Sequence, residues 1–290
     1  MRLHKLTALA GGLVLTASLA ACGGSDDGSD DAASGGYGRC DVAPQDDSLT
    51  FEPAVDGQLT VAVPLPSPNG YQGDTPESID GGYMYCMAAD IASRAGLEKV
   101  VVKNTSFESI VTGRGGDFDI AIWNVIRTDE RAEAVDFSEP YMLIPSAVAV
   151  KEGEELDEGD LADAQIGVLI GSFQETLAKE KIQPSQPVRQ FQSNEDMFTA
   201  LRAGQVDVVL QDLTTLMPAA KASGGGFEVI AKFEEGGEPG VVLPKDSPNT
   251  ATVDSIVADW LDSGDLDAIF EEWLNPILGG DPNDVPVWTA

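Results

Sequence analysis

From Asp119 to Tyr141 the chain reads DIAIWNVIRTDERAEAVDFSEPY, and this stretch carries the side chain best suited to gripping an anion. Arg131 follows Thr128 by three residues, with Asp129 and Glu130 between them and Pro140 closing the run. A guanidinium offers a planar fork that makes two parallel hydrogen bonds to a carboxylate and keeps its charge when desolvated. The plainer alternative is that Arg131 pairs with its neighbours Glu130 or Asp136. The only histidine is His4, so the rest of the chain cannot assemble a Ser-His-Asp triad, a Cys-His pair or a histidine-ligated zinc site. Most hydrolase chemistry is thereby excluded, and no metal or cofactor is expected. The cysteines are three: Cys22, Cys40 and Cys86.

The elements that must position Arg131 alternate between strand-like and helix-like runs, which predicts an α/β fold. LTVAV at 59–63, VVVKN at 100–104 and 118–123 read as strands, with helices from Tyr85 to Arg94 and from Phe107. Thr128 caps a short helix with acids in its first turn. The scheme repeats with strands at 166–171, 188–192, 206–211 and 227–233, a helix from Gln174, and a helix opened by Ser193 and Asp196 in a capping-box-like pattern. KEGEELDEGD at 151–160 reads as an exposed connection and GVVL at 240–243 as a return crossing. Two closing helices follow, striped by Val253, Ile256, Val257 and Trp260, and by Leu266, Ile269, Phe270 and Trp273. Their tryptophans read as core.

The N-terminus reads as an export signal: Arg2 and Lys5, then an apolar run from Leu6 to Ala21 too short to span a bilayer comfortably. Leu19-Ala20-Ala21-Cys22 resembles a bacterial lipobox, which implies cleavage before Cys22 and a lipid anchor on it. GGSDDGSDDAASGGYGR follows, with almost nothing to bury, and predicts a tether. Against 17 basic residues stand 49 acidic ones, a net charge of −32. That excess argues against nucleic acid or anionic lipid as a partner of the folded part. Cys40 and Cys86 either pair in an oxidising exterior or remain free thiols, with Cys86 packed as a small hydrophobe.

The order T-x-x-R then V-D-F-S-x-P-Y resembles the extracytoplasmic solute-binding proteins of ABC importers, in the family that carries polar amino acids. The resemblance extends over the whole span from about 57 to 290. It implies a two-lobed periplasmic-binding-protein-like fold (type II), with two crossings and a ligand cleft between the lobes. The expected organisation is a signal peptide at 1–21, a lipidated, acidic tether at 22–56, lobe one at 57–147 and 244–290, and lobe two at 148–243.

By that resemblance Arg131 grips the ligand's α-carboxylate, and Asp212, ending the strand AGQVDVVLQD, pairs with its α-ammonium. Asp212 could alternatively cap the helix beginning near Leu213. Gly171-Ser172-Phe173 occupies the position of a glycine followed by two hydroxyl residues. There Ser172 keeps a backbone N–H role, while Phe173 replaces a hydroxyl. In Trp123-Asn124-Val125-Ile126-Arg127 only Asn124 could still offer a carbonyl to the amine; Ile126 cannot replace a hydroxyl, and Trp123 is oversized. Gly82-Tyr83-Met84-Tyr85-Cys86 lacks both acids the family places at that helix start. Phe107 takes an apolar wall position and Tyr71 falls near a ring-stacking aromatic. Tyr71, Phe107, Trp123 and Phe173 with Asp212 would form an aromatic box suited to a cation, unless some of them pack outside the cleft.

The function this implies is a monomeric, lipid-anchored binding protein that delivers an amino acid or betaine-like zwitterion to an ABC permease and its ATPase. Alternatives on the same scaffold are a ligand sensor and a dehydratase-like cleft enzyme. The enzyme needs a cleft carboxylic acid of raised pKa, for which Glu175 is the conceivable candidate.

Overall fold

The computed structural model describes residues 36–289. The expectations for the leader, for Cys22 and for the first part of the tether lie outside them. Among the described residues no helix is long and apolar enough to cross a membrane.

Two sheets organise the chain. The first takes β1 (Gln58–Val63), β2 (Lys99–Asn104), β3 (Ile120–Ala121), β4 (Val135–Phe137) and β10 (Val242–Pro244) in the order β2-β1-β3-β10-β4. β1 runs parallel to β2 and β3, and β10 runs antiparallel to β3 and β4. Strand alternation assigns its two faces. Leu59, Val61 and Val63 share a core with α1 (Tyr83–Arg94) and α7 (Thr250–Ser263), whereas Ala62 joins α2 (Phe107–Val111) on the opposite face.

The second sheet has the order β11-β9-β5-β8-β6-β7, from β5 (Ile144–Lys151), β6 (Ile166–Leu169), β7 (Arg189–Phe191), β8 (Val208–Asp212), β9 (Phe227–Gly237) and β11 (Val287–Trp288). Val148, Val150, Val208 and Leu210 bury one face; Ala147, Ala149 and Val209 bury the other beneath α5 (Asn194–Arg202) and α6 (Leu213–Ala222). This is the type II periplasmic-binding-protein architecture.

The structure moves several boundaries. The chain crosses between sheets at 138–143 and 238–241, so the expected limits at 147 and 243 fall inside β5 and β10. Strand β3 is shorter than the predicted 118–123. The carboxylate of Asp119 instead accepts the backbone N–H groups of Thr60 and Ala54, each at 2.7 Å. The sequence predicts the end of the chain wholly in lobe one, yet β11 lies on the second sheet, parallel to β9. Its Trp288 packs on that sheet's core.

Residues 36–56, expected as tether, form a strap on lobe one. Cys40 is disulfide-bonded to Cys86. Arg39 pairs with Asp80 and lies over the Trp273 ring, 5.0 Å from its centroid. Ala43 N–H donates to Asp90 at 2.7 Å, and Glu52 exchanges two hydrogen bonds with the side chain of Asn249. The strap has no ladder of its own, so backbone groups such as those of Ala43, Asp46 and Glu52 turn to lobe one, a demand that composition does not reveal.

The closing helices bury the predicted stripe, with Trp260 fully enclosed and its indole N–H donating to Asp90 at 2.6 Å. Arg94, at the end of α1, gathers Asp90, Asp259 and Asp265 and so ties α1 to α7 and α8 (Asp265–Ile269).

Candidate functional site

Arg131 lies in α3 (Asp129–Ala134), a helix capped by the Thr128 hydroxyl, which accepts the N–H of Arg131 itself at 3.2 Å. The cap aims the residue inward, and Arg131 is buried. Its guanidinium donates to the Ile126 carbonyl of lobe one at 2.5 Å and to the Gly171 carbonyl of lobe two at 2.6 Å. It also sits 5.3 Å from the Phe107 ring centroid. Asp136, the alternative partner, is paired with Lys245. Burial pushes the Arg131 pKa down to about 10, while the Asp212 and Glu130 charges work the other way.

Asp212 ends β8, a strand buried along its whole length. It precedes α6 but makes no side-chain cap bond to it. Its carboxylate instead accepts the Gln174 amide at 2.8 Å, and the same amide nitrogen reaches Ser146 Oγ at 3.1 Å. Burial raises the Asp212 pKa to about 7, against the hydrogen bond from Gln174 and the attraction of Arg131. A buried cation and a buried acid, one from each lobe, therefore face a single cleft.

Asn124 joins the lobes. It adopts a left-handed φ of 50°, which Asn tolerates better than most residues. Its amide donates to Tyr83 Oη at 2.9 Å and to Thr214 Oγ1 of lobe two at 3.3 Å, and its side-chain oxygen accepts from Tyr141 at 3.3 Å. The Trp123 indole donates to Ser67 at 3.0 Å, and its ring lies 5.3 Å from that of Phe107. Ile126 packs on the hinge strand at Gly237, where a Cβ would stand 2.0 Å from Ile126 Cδ1. The bulk that replaces a hydroxyl in this loop is thus accommodated by a glycine more than a hundred residues away in sequence.

Arg131, Asp212, Asn124, Trp123, Ser172, Phe173 and Phe107 all line one small cavity of about 20 Å³ between the lobes. Tyr71 does not. It is fully buried in the core and donates its hydroxyl to the Ile122 carbonyl at 2.8 Å, which removes it from the expected aromatic box. Ser172 faces the cleft, but its N–H donates to Leu169 O and its hydroxyl caps α4 (Phe173–Leu177) through Glu175 N–H. The backbone role expected for it is therefore already taken. Glu175 is not the acid of raised pKa that cleft chemistry requires. Burial raises it, but hydrogen bonds from Lys179, Gly171 N–H and Gln190 prevail and hold it below its ordinary value.

Gln174, Tyr83, Tyr141 and Thr214 escaped the sequence reading. Gln174, Tyr83 and Thr214 belong to no charge pattern or spacing; Gln174 meets Asp212, and Tyr83, Tyr141 and Thr214 meet Asn124, only because separate elements converge. Tyr141, ending SEPY, carried the one available hint.

The model for bacterial extracellular solute-binding proteins, family 3, matches residues 59–276, and the chain belongs to that family. It is 26% identical over 215 residues to the L-cystine-binding protein of Escherichia coli strain K12, covering 71% of this chain and 78% of that protein. In structure it is similar to the solute receptor for L-cysteine of Neisseria gonorrhoeae, with a TM-score of 0.68 and 26% identity over 78% of this chain and 94% of the other. An ancestral arginine-binding protein bound to glutamine gives a TM-score of 0.67 and 27% identity over 78% of this chain and 100% of that one.

Proposed function

We propose that the chain captures an amino acid in the interlobe cleft, with its α-carboxylate on Arg131 and its α-ammonium on Asp212, and delivers it to an ABC permease and its ATPase. The observation that carries this reading is the pair itself: two buried, oppositely charged groups from different lobes lining one cavity. A zwitterion satisfies both only when the lobes are together, so binding selects the closed form, which a permease can distinguish from an open one. The relatives named for L-cystine, L-cysteine and arginine support the ligand class.

The lipobox-like Leu19-Ala20-Ala21-Cys22 supports export and anchoring through Cys22. The protein acts as a monomer, tethered rather than integral.

Calorimetry with a panel of amino acids tests the clamp. Each charge-assisted hydrogen bond to a carboxylate is worth about 1.5–3 kcal/mol, so Arg131→Ala should weaken binding by at least about 100-fold. Undiminished affinity in that variant removes the assignment. The raised pKa of Asp212 would also suit proton transfer, so the bound ligand should be recovered after prolonged incubation and analysed by mass spectrometry. It is expected unchanged, and a converted product would overturn the binding-only account. Mass spectrometry of the exported protein should show the chain beginning at an acylated Cys22.

A further inference from the structure

A second cavity, of about 410 Å³, adjoins the clamp and shares Trp123, Asn124, Gln211 and Asp212 with it. It runs between the loop at Pro66–Gly70 and the start of α1 on one lobe and the α5 and α6 helices on the other. A cavity of about 150 Å³ admits benzene, so this one holds two to three groups of that size. The clamp cavity is about 20 Å³, so a solute held at Arg131 and Asp212 has its room to extend here.

The chamber's chemistry is mostly apolar. Phe198 and Phe227 present a stacked pair with centroids 5.2 Å apart, and Met84, Trp123 and Pro218 add apolar faces. Among the described residues, Asp212 apart, the charged residues lining it are Glu195 and Arg202, both exposed. A charged side chain entering the chamber would lose hydration without an interior counter-charge, and that is costly. Aromatic rings, by contrast, gain from both the area buried and edge or offset contacts with other rings.

We propose that this chamber receives the solute's side chain and that the solute is an amino acid with a large, uncharged aryl side chain. The inference rests on the Arg131–Asp212 clamp. It separates this chain from the arginine- and cystine-type ligands of its named relatives through Phe198, Phe227 and Met84, none of which belongs to the clamp.

The test is calorimetry on the whole folded protein with L-tryptophan and L-phenylalanine against L-alanine, L-arginine, L-glutamate and L-cystine. Burial of an aryl group predicts binding about 10- to 100-fold tighter than that of L-alanine. Ala222→Trp, at the exposed end of α6, and Ala219→Phe, one turn deeper, narrow the chamber and should erase that preference. Thermal melting checks that each variant is folded, and the exposed site keeps the test open if the deeper one fails. Tighter binding of L-alanine, L-arginine, L-glutamate or L-cystine that still depends on Arg131 overturns the aryl assignment and leaves the clamp standing. So does an aryl preference that survives both variants. Absence of Arg131-dependent binding by every amino acid overturns the clamp, and the chamber inference with it.

Discussion

If Asp212 receives an ammonium group, ligand affinity must follow its titration. Its pKa in the protein lies at about 7, because burial penalises the anion more than Gln174 and Arg131 favour it. Only the ionised carboxylate pairs with an ammonium, so the apparent affinity scales with the ionised fraction. At pH 8 about nine-tenths of the protein is competent, and at pH 5 about one-hundredth, so affinity should fall by about two orders of magnitude between them. The other groups at the cleft do not produce this slope. Arg131, pushed down to about 10, stays charged throughout the window, and Glu175 is held below its ordinary value. Calorimetry from pH 5 to 8.5 in two buffers of different ionisation enthalpy should also detect the release of about half a proton per ligand near pH 7. Asp212→Asn should bind weakly with no slope. A flat wild-type profile, or a slope retained in Asp212→Asn, would refute the ammonium role. The same shift has a consequence for stability without ligand. The folded pKa lies above the ordinary 3.8, so the folded form binds more protons than the unfolded one. The Asp212 contribution is therefore favourable at low pH and is lost as pH rises from about 4 to about 7. Asp212→Asn should accordingly raise the melting temperature at pH 8 and leave it little changed at pH 4.

Two further outcomes separate packing from binding. Tyr71→Phe removes the hydroxyl bonded to Ile122 O. It should cost about 1–3 kcal/mol in denaturant unfolding with no change in ligand affinity, and weakened binding would return Tyr71 to the cleft. Replacing Cys40 and Cys86 together by alanine opens a loop of 46 residues. In the chain-entropy model this should lower unfolding free energy by about 4 kcal/mol, visible as a lower denaturant midpoint, while ligand affinity stays the same.

Local rules carried much of this protein. The period-two alternation of β1, the apolar stripe of α7 and the Thr128 cap are encoded within a few residues of where they act. So is the T-x-x-R…S-x-P-Y order that marks the family and places Arg131. The absence of histidine beyond His4 removed whole classes of catalysis in the same way. What the tertiary structure decided concerns partners distant in sequence. The strap at 36–56 is short of hydrophobic pattern, yet it is ordered because its backbone hydrogen-bonds to Asp90 and Asn249 and its Cys40 is bonded to Cys86 on lobe one. Tyr71 and Trp123 are both large aromatics near the cleft in sequence terms, but only packing decides which is enclosed. The protonation of Asp212 depends on being buried beside Gln174 and Arg131, groups carried on α4 and α3. Burial and electrostatics are sums over neighbours in space, whereas the sequence orders neighbours only along the chain. That is why Arg131 could be singled out from its motif, while the shape and chemistry of the chamber beside it became visible only when the two lobes were brought together.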